Sequence, residues 1–209
     1  MSGEIFRVKK RLFILVSCLL FNGGAIWADV DLAETPPTEN EDVAPALRFK
    51  AKSIDGEEVD LAKYSGKVVI VVNVASECGV TSQYAGLQAL HEELAEHGLC
   101  VLGFPSNDFG KQEPGKNAEI KAFCEKNYRV TFDMFAKVKV TGDDACAFYK
   151  YLATQEAKPK GKAGISWNFE KVILGRKGNV IAHFESHVEP TSREFLEVLA
   201  DALSEGKDE

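Results

Sequence analysis

Histidine and tryptophan are scarce in this 209-residue chain, four and two residues respectively, and no two cysteines form a C-x-x-C pair. His91, His97, His183 and His187 make no ligand cluster, so zinc sites and copper delivery, which need paired cysteines or grouped histidines, are set aside. Dithiol exchange through C-x-x-C goes with them. No basic run of three or more follows Arg11, and the net charge is −7, which argues against nucleic acid or an anionic membrane as partner. Five cysteines are too few for a disulfide scaffold in a chain of this length. Cys78, Cys100, Cys124 and Cys146 stand 22, 24 and 22 residues apart, with no ligand pairing among them. One of them is expected to react rather than to staple.

The one long apolar run is N-terminal. Lys9-Lys10-Arg11 precedes Leu12–Phe21, and Asn22-Gly23-Gly24 leads to Ala25-Ile26-Trp27-Ala28, the order of a signal peptide with cleavage after Ala28. The run is shorter than the ~20 residues of a spanning helix, so no stable membrane insertion is expected after cleavage. Leu15-Val16-Ser17-Cys18 resembles a lipoprotein-processing box, which makes anchoring at Cys18 the less favoured alternative. Cleavage removes four positive charges and one negative, taking the net charge from −7 to −10. The expected organisation is a signal peptide over 1–28, a flexible acidic leader over 29–45 rich in Pro, Glu and Asp, and one domain over 46–209, exported to a periplasmic or extracellular space.

Val68–Val72 is an unbroken β-branched run between Gly66 and Asn73, the mark of a strand covered on both faces. Leu87, Leu90 and Leu94 follow at helical spacing, which places Cys78 at a strand-to-helix junction where amide donors and the helix dipole favour a thiolate. Leu47–Ala51 and Glu58–Leu61 alternate around Asp55-Gly56 as a hairpin at a sheet edge. Gly98 stops the helix, and Leu99–Phe104 is a second buried strand, parallel to the first. Pro105–Gly115 is then a loop at the carboxyl end of the sheet, on the side of Cys78. Asn117 is expected to cap a helix with Ile120, Phe123, Cys124 and Tyr128 inward, and Asp143 or Asp144 to begin another with Phe148, Tyr149 and Leu152 inward. Lys158–Lys162 reads as a solvated loop, Phe169–Leu174 and Asn179–Phe184 as a hairpin, and Thr191 with Glu194 as a capping box for the last helix. The order predicts an α/β, thioredoxin-like fold with a central mixed sheet flanked by helices and an N-terminal hairpin.

Thr81 occupies the position where a disulfide reductase would carry its second thiol, so Cys78 has no local partner. A lone thiolate suits attack on a peroxide, which leaves a sulfenic acid. Three segments carry a resemblance: Asn73-Val74-Ala75-Ser76-Glu77-Cys78-Gly79-Val80-Thr81, Leu102–Gly115 with Phe104-Pro105-Ser106-Asn107-Asp108-Phe109-Gly110-Lys111-Gln112-Glu113-Pro114-Gly115, and Trp167-Asn168-Phe169. In that order they resemble the signatures of the glutathione peroxidase family, in its cysteine-type, bacterial-like form with a signal peptide.

The resemblance runs from about Leu47 to the C-terminus and implies that Cys78 is the peroxidatic residue, where some members carry selenocysteine. Gln112, Trp167 and Asn168 complete the implied catalytic tetrad. Two amides and an indole N–H can donate to a thiolate and to the oxygen leaving from the peroxide. Cys124 lies in the region where thiol-type members keep a resolving cysteine. Ser106 stands where many of them have an additional cysteine, and Asp133 where proline is common. The implied activity is reduction of hydrogen peroxide and organic hydroperoxides through a sulfenic acid, in oxidative stress defence. Glutathione or a thioredoxin-like protein is the thiol co-substrate, with no cofactor, no metal and a monomeric chain. The alternative from another class is a thioredoxin-fold peroxide sensor or redox binding module without turnover. Cys100 reads as a small hydrophobe in a buried strand, and Cys146, near the polar side of its helix, as inert.

Overall fold

The computed structural model describes residues 43–162 and 164–205. The expected signal peptide, Cys18 and most of the acidic leader lie outside the described residues.

The first ordered pair is the expected hairpin, shorter than its sequence pattern: β1 (Lys50–Lys52) against β2 (Glu58–Asp60), with Pro45–Leu47 wound instead into a 3-10 turn. β3 (Val68–Val74) and β4 (Leu99–Pro105) run parallel with α1 (Gln83–Leu94) between them. α2 (Asn117–Tyr128), the two-residue β5 (Asp133–Met134) and α3 (Ala147–Leu152) follow. A small sheet of β6 (Glu156–Ala157) and β7 (Gly161–Lys162) precedes the antiparallel β8 (Lys171–Leu174) and β9 (Val180–Phe184), and α4 (Arg193–Ser204) is the last helix. The central sheet has the order β5-β4-β3-β8-β9, parallel on the β5 side of β3 and antiparallel on the β8 side. The hairpin lies along the β5 edge, where Ile54 N–H donates to Met134 O and Ala136 N–H to Lys52 O.

β3 is buried at every position, yet its side chains serve two cores in alternation. Val68, Ile70, Val72 and Val74 pack with Tyr84, Leu87, Ile120, Phe195 and Leu199 of α1, α2 and α4. Val69 and Val71 pack on the other face with Leu61, Tyr64, Phe148, Tyr149 and Leu152. Full burial of each such side chain stabilises by about 1.5–3 kcal/mol, so a continuous apolar run is what a central strand with two covered faces requires. Gly103 of β4 is a close-approach glycine: a Cβ there would lie 2.6 Å from the sulfur of Met134.

Several sequence expectations shift by a few residues. α2 begins at Asn117, with Lys116 as its cap and Glu119 accepting the Lys116 N–H; the Asn117 side-chain oxygen instead accepts Lys137 N–H. α3 begins at Ala147 behind a buried Cys146, not at Asp143 or Asp144. Ser192, not Thr191, caps α4 through Phe195 N–H. The segment 158–162 is, as expected, a largely exposed turn, leading from β6 into β7, but it is anchored: Lys160 bonds Glu170, and Pro159 bridges to His183 along β9. Asp133 accepts from Tyr64 Oη and pairs with Lys63, which ties β5 to the segment before β3.

Candidate active site

The register of the sheet brings the three signature segments to one end. Val74 lies opposite Pro105, so the chains leaving β3 and β4 emerge side by side. Lys171 lies opposite Val72, and because β8 is antiparallel, the residues before Lys171 sit over the same end. Two backbone bonds extend the junction past the strands: Ser106 N–H to Val74 O, and Phe169 N–H to Asn73 O at 2.7 Å.

Cys78 is half-buried in the turn between β3 and α1, five residues ahead of Gln83. The intervening residues make i to i+3 turns rather than α-helix, so Cys78 stands one turn outside the helix whose start the sequence suggests for it. Thr81 holds that turn. Its hydroxyl accepts the Cys78 N–H at 3.0 Å and lies 2.7 Å from Cys78 O and 2.9 Å from Ala75 O, sharing one hydrogen between them.

Gln112 follows two left-handed residues, Gly110 (φ 62) and Lys111 (φ 56), that turn the loop back toward the Cys78 segment. Its carbonyl accepts Glu77 N–H, and its side-chain Oε1 accepts Asn168 Nδ2 at 2.9 Å. Asn168 is fully buried, and its Oδ1 is an acceptor without a partner among the described residues. Trp167 is 43% exposed and lies against Phe109, ring centroids 5.9 Å apart. The structure thus ties the Cys78 segment to Gln112 through main chain, Gln112 to Asn168 through side chains, and Trp167 to the same loop through a ring contact. Cys124 lies apart, buried on α2 in an apolar cluster that Cys78 borders. Ser106 is buried, with its hydroxyl accepting Asp108 N–H, and contributes no thiol.

Four residues that read in the sequence as motif filler or strand positions build this arrangement. Asn73 is buried and uses its amide twice, donating to Trp167 O at 2.9 Å and accepting Glu170 N–H at 3.1 Å. Between them Phe169 is held in left-handed backbone (φ 60), a conformation that costs a bulky residue about 1–3 kcal/mol and persists only where its surroundings fix it. Glu170 is buried and accepts from Lys160 Nζ, His183 Nε2 and both the amide and hydroxyl of Ser166. Lys171, also buried, donates to Gln83 Oε1 at 2.8 Å and to Val188 O, which fastens the first turn of α1, and burial pulls its ammonium down to about 7.

Burial works to raise the Glu170 carboxyl, but the bonds from His183, Lys160 and Ser166 outweigh it and bring it down to about 2. A depressed carboxyl adds stability above its unfolded value near 4.5 and loses that stability as pH falls toward 2. Urea unfolding at a series of pH values should therefore show the parent exceeding Glu170→Gln by about 3 kcal/mol at neutral pH, with the gap closing between about pH 4.5 and 2. A gap independent of pH would assign the loss to packing instead.

Among the described residues no group of three or more His, Cys, Asp or Glu is placed to hold a metal ion. Cys78, Cys100, Cys124 and Cys146 are all free thiols. Cys100 is half-buried rather than enclosed, and Cys146 is buried at the start of α3 rather than on a polar face. Burial pushes both thiols up.

A family model described as glutathione peroxidase matches residues 46–153. A glutathione peroxidase of Lactococcus lactis is 47% identical over 146 residues, covering 70% of this chain and 92% of the relative. A hydroperoxy fatty acid reductase of Synechocystis is 45% identical over 149 residues, covering 68% and 87%. Among solved structures, Trgpx in apo form superposes with a TM-score of 0.62 at 35% identity over 78% of this chain and 98% of that one. A thioredoxin family protein of Chlorobium tepidum, at 17% identity and a TM-score of 0.55 over 74% and 92%, shares the fold alone. The mixed sheet with its parallel centre and antiparallel hairpin is thioredoxin-like, and with a family match over half its length the chain belongs to the glutathione peroxidase family.

Proposed function

We propose that this chain is an exported thiol-dependent peroxidase that reduces hydrogen peroxide and organic hydroperoxides at Cys78. The observation that carries the reading is the meeting, at one end of the sheet, of a lone half-buried thiol with the Gln112–Asn168 amide pair and an exposed indole. In the proposed reaction the Cys78 thiolate attacks one peroxide oxygen and the O–O bond breaks. Cys78 becomes a sulfenic acid, and the other oxygen leaves with the bond's electron pair, taking a proton to become water or alcohol. Asn168 Nδ2 donates to Gln112 Oε1 and holds that amide in place, and an N–H of Gln112 or of the Trp167 indole brought to the sulfur and the leaving oxygen would stabilise the charge on both. Two thiol equivalents then return the sulfenic acid to thiol with loss of water, so the reductant is a co-substrate and no cofactor enters.

The apolar surface of Trp167 with Phe109 supports acceptance of bulky hydroperoxides, in keeping with the Synechocystis relative named for a fatty acid substrate. The reductant is proposed to be glutathione or a thioredoxin-like protein, and the working chain a monomer that begins at Asp29 after removal of the signal peptide. The test is peroxide consumption by the mature protein with glutathione and with thioredoxin as alternative donors. Many turnovers per chain support the enzyme. A single equivalent of peroxide consumed, with no cycling by either donor, would make the chain a sensor instead.

A further inference from the structure

The Cys78 segment is held to the loop after β4 by two adjacent residues. Glu77 N–H donates to the Gln112 carbonyl at 3.0 Å, a contact indifferent to charge. Ser76 makes the other attachment, its amide and its hydroxyl both reaching Glu113 Oε2, at 2.9 and 3.1 Å. Glu113 is only 1% exposed. Its main chain is fixed from behind, where its N–H donates to Asn107 Oδ1 and its carbonyl, with that of Gly115, accepts Lys137 Nζ. The carboxyl thus stays in place while its bonds run forward to the residue two before Cys78.

We propose that Glu113 is a positioning residue whose charge latches the Cys78 segment: ionised, it takes two charge-assisted hydrogen bonds from Ser76; protonated, it holds the segment less tightly. The latch rests on the reading of Cys78 as the reacting thiol, and it adds control of where that thiol sits. Hydrogen bonds to an ionised acceptor are about twice as strong as neutral ones, and coupling is reciprocal: donors that favour the charged carboxyl are themselves held harder by it.

The groups facing the carboxyl come from four elements: Glu77 and Ser76 from the Cys78 segment, Lys137 from the stretch after β5, Tyr84 from α1 and Cys124 from α2. Burial is the largest influence and raises the carboxyl; Ser76 and Lys137 pull it down and Glu77 pushes it up, leaving it at about 7. Both charge states are therefore populated near neutral pH. Burial is what mainly keeps Tyr84 and Cys124 protonated, and the Glu113 charge adds to it.

The test is amide hydrogen exchange by NMR on the reduced mature protein from about pH 6 to 8, corrected for the intrinsic rate, with alkylation of Cys78 by iodoacetamide alongside. Protection of the Ser76 amide in the parent should rise about tenfold with a midpoint near pH 7. Glu113→Gln should show no step, and its alkylation profile should lose an inflection that the parent has near 7. Ser76→Ala, which keeps the carboxyl and deletes one donor, should show a smaller step. A role in packing alone would change protection by the same factor at every pH. Protection that is flat in the parent overturns the latch, as does protection that falls as pH rises because opening lets water reach the carboxyl. Neither probe uses peroxide, so a chain that shows the step without peroxide turnover keeps the latch and loses the peroxidase reading, and turnover without the step does the reverse.

Discussion

Cys78→Ser should lose peroxide turnover to background with either thiol donor, while its unfolding free energy stays within about 1 kcal/mol of the parent. A serine hydroxyl is not ionised at neutral pH and cannot cycle through a sulfenic acid, so the chemical loss is complete. The fold is spared because the turn is built from the backbone of residue 78, whose N–H and carbonyl meet Thr81, and not from its sulfur. Gln112→Ala and Asn168→Ala should instead leave a working but slow enzyme, since removal of one oriented donor in an active site costs about 10²–10³ in rate. Asn168→Ala also leaves Gln112 Oε1 without its 2.9 Å donor, so its effect on the Cys78 thiolate should be the larger of the two. Stopped-flow oxidation of each variant separates these cases. Near-normal turnover in Cys78→Ser would remove the cysteine from the chemistry altogether.

The fold is legible where one physical demand dominates. A two-face strand must be apolar along its buried run, and Val68–Val72 is; a left-handed helix stop wants glycine, and Gly98 sits there at φ 92. Boundaries shift where capping is shared among neighbours. Asn117 looks like a cap but spends its oxygen on Lys137, and Thr191 yields to Ser192, because tertiary partners compete for the same short polar side chains. The candidate site is legible as motifs, yet the residues that hold it are not. Glu113, Glu170 and Lys171 carry charge in segments that read as loop or strand surface, and nothing local announces that a partner distant in sequence will bury them. Asn73 looks like a strand terminator and is the buried amide that spans Trp167 and Glu170. Thr81 stands out in the sequence only as the missing second thiol, though a hydroxyl three residues after a turn's start is a recurrent way to close that turn.

The second large effect concerns Cys124, whose replacement by serine should abolish turnover driven by thioredoxin while sparing the first oxidation of Cys78. In the reduced protein Cys124 is 1% exposed, and burial pushes its thiol up to about 11, with the Tyr84 hydroxyl opposing and Glu113 and Glu125 adding to the rise. A free cysteine near about 8.5 holds a few hundred times more thiolate at neutral pH, so a buried Cys124 is a poor attacker and an exposed one a competent attacker. A disulfide also requires the two Cα atoms within about 7 Å, which a packed helical face does not offer without movement. The end of α2 is suited to that movement. Cys124 O accepts the Arg129 and Val130 amides that close the helix, and Arg129 sits in left-handed backbone (φ 54), whose cost of about 1–2 kcal/mol is recovered on unwinding. A cleft of roughly 470 Å³ lined by Lys121, Cys124, Glu125, Val130 and Phe132 gives the last turn room to leave. Cys78 borders the apolar cluster that contains Cys124, so both thiols belong to the same core face of the sheet. In the expected resolving step the Cys124 sulfur would attack the sulfenic sulfur of Cys78, the S–S bond forming as the S–O bond breaks and the departing hydroxide taking the thiol proton to become water. Peptide mapping of peroxide-treated parent under non-reducing conditions should find Cys78 joined to Cys124, with faster amide exchange over Cys124–Tyr128 than in the reduced protein. Unimpaired cycling of Cys124→Ser with thioredoxin would instead make Cys124 a packing residue of α2 and leave the sulfenic acid to direct reduction by an incoming thiol.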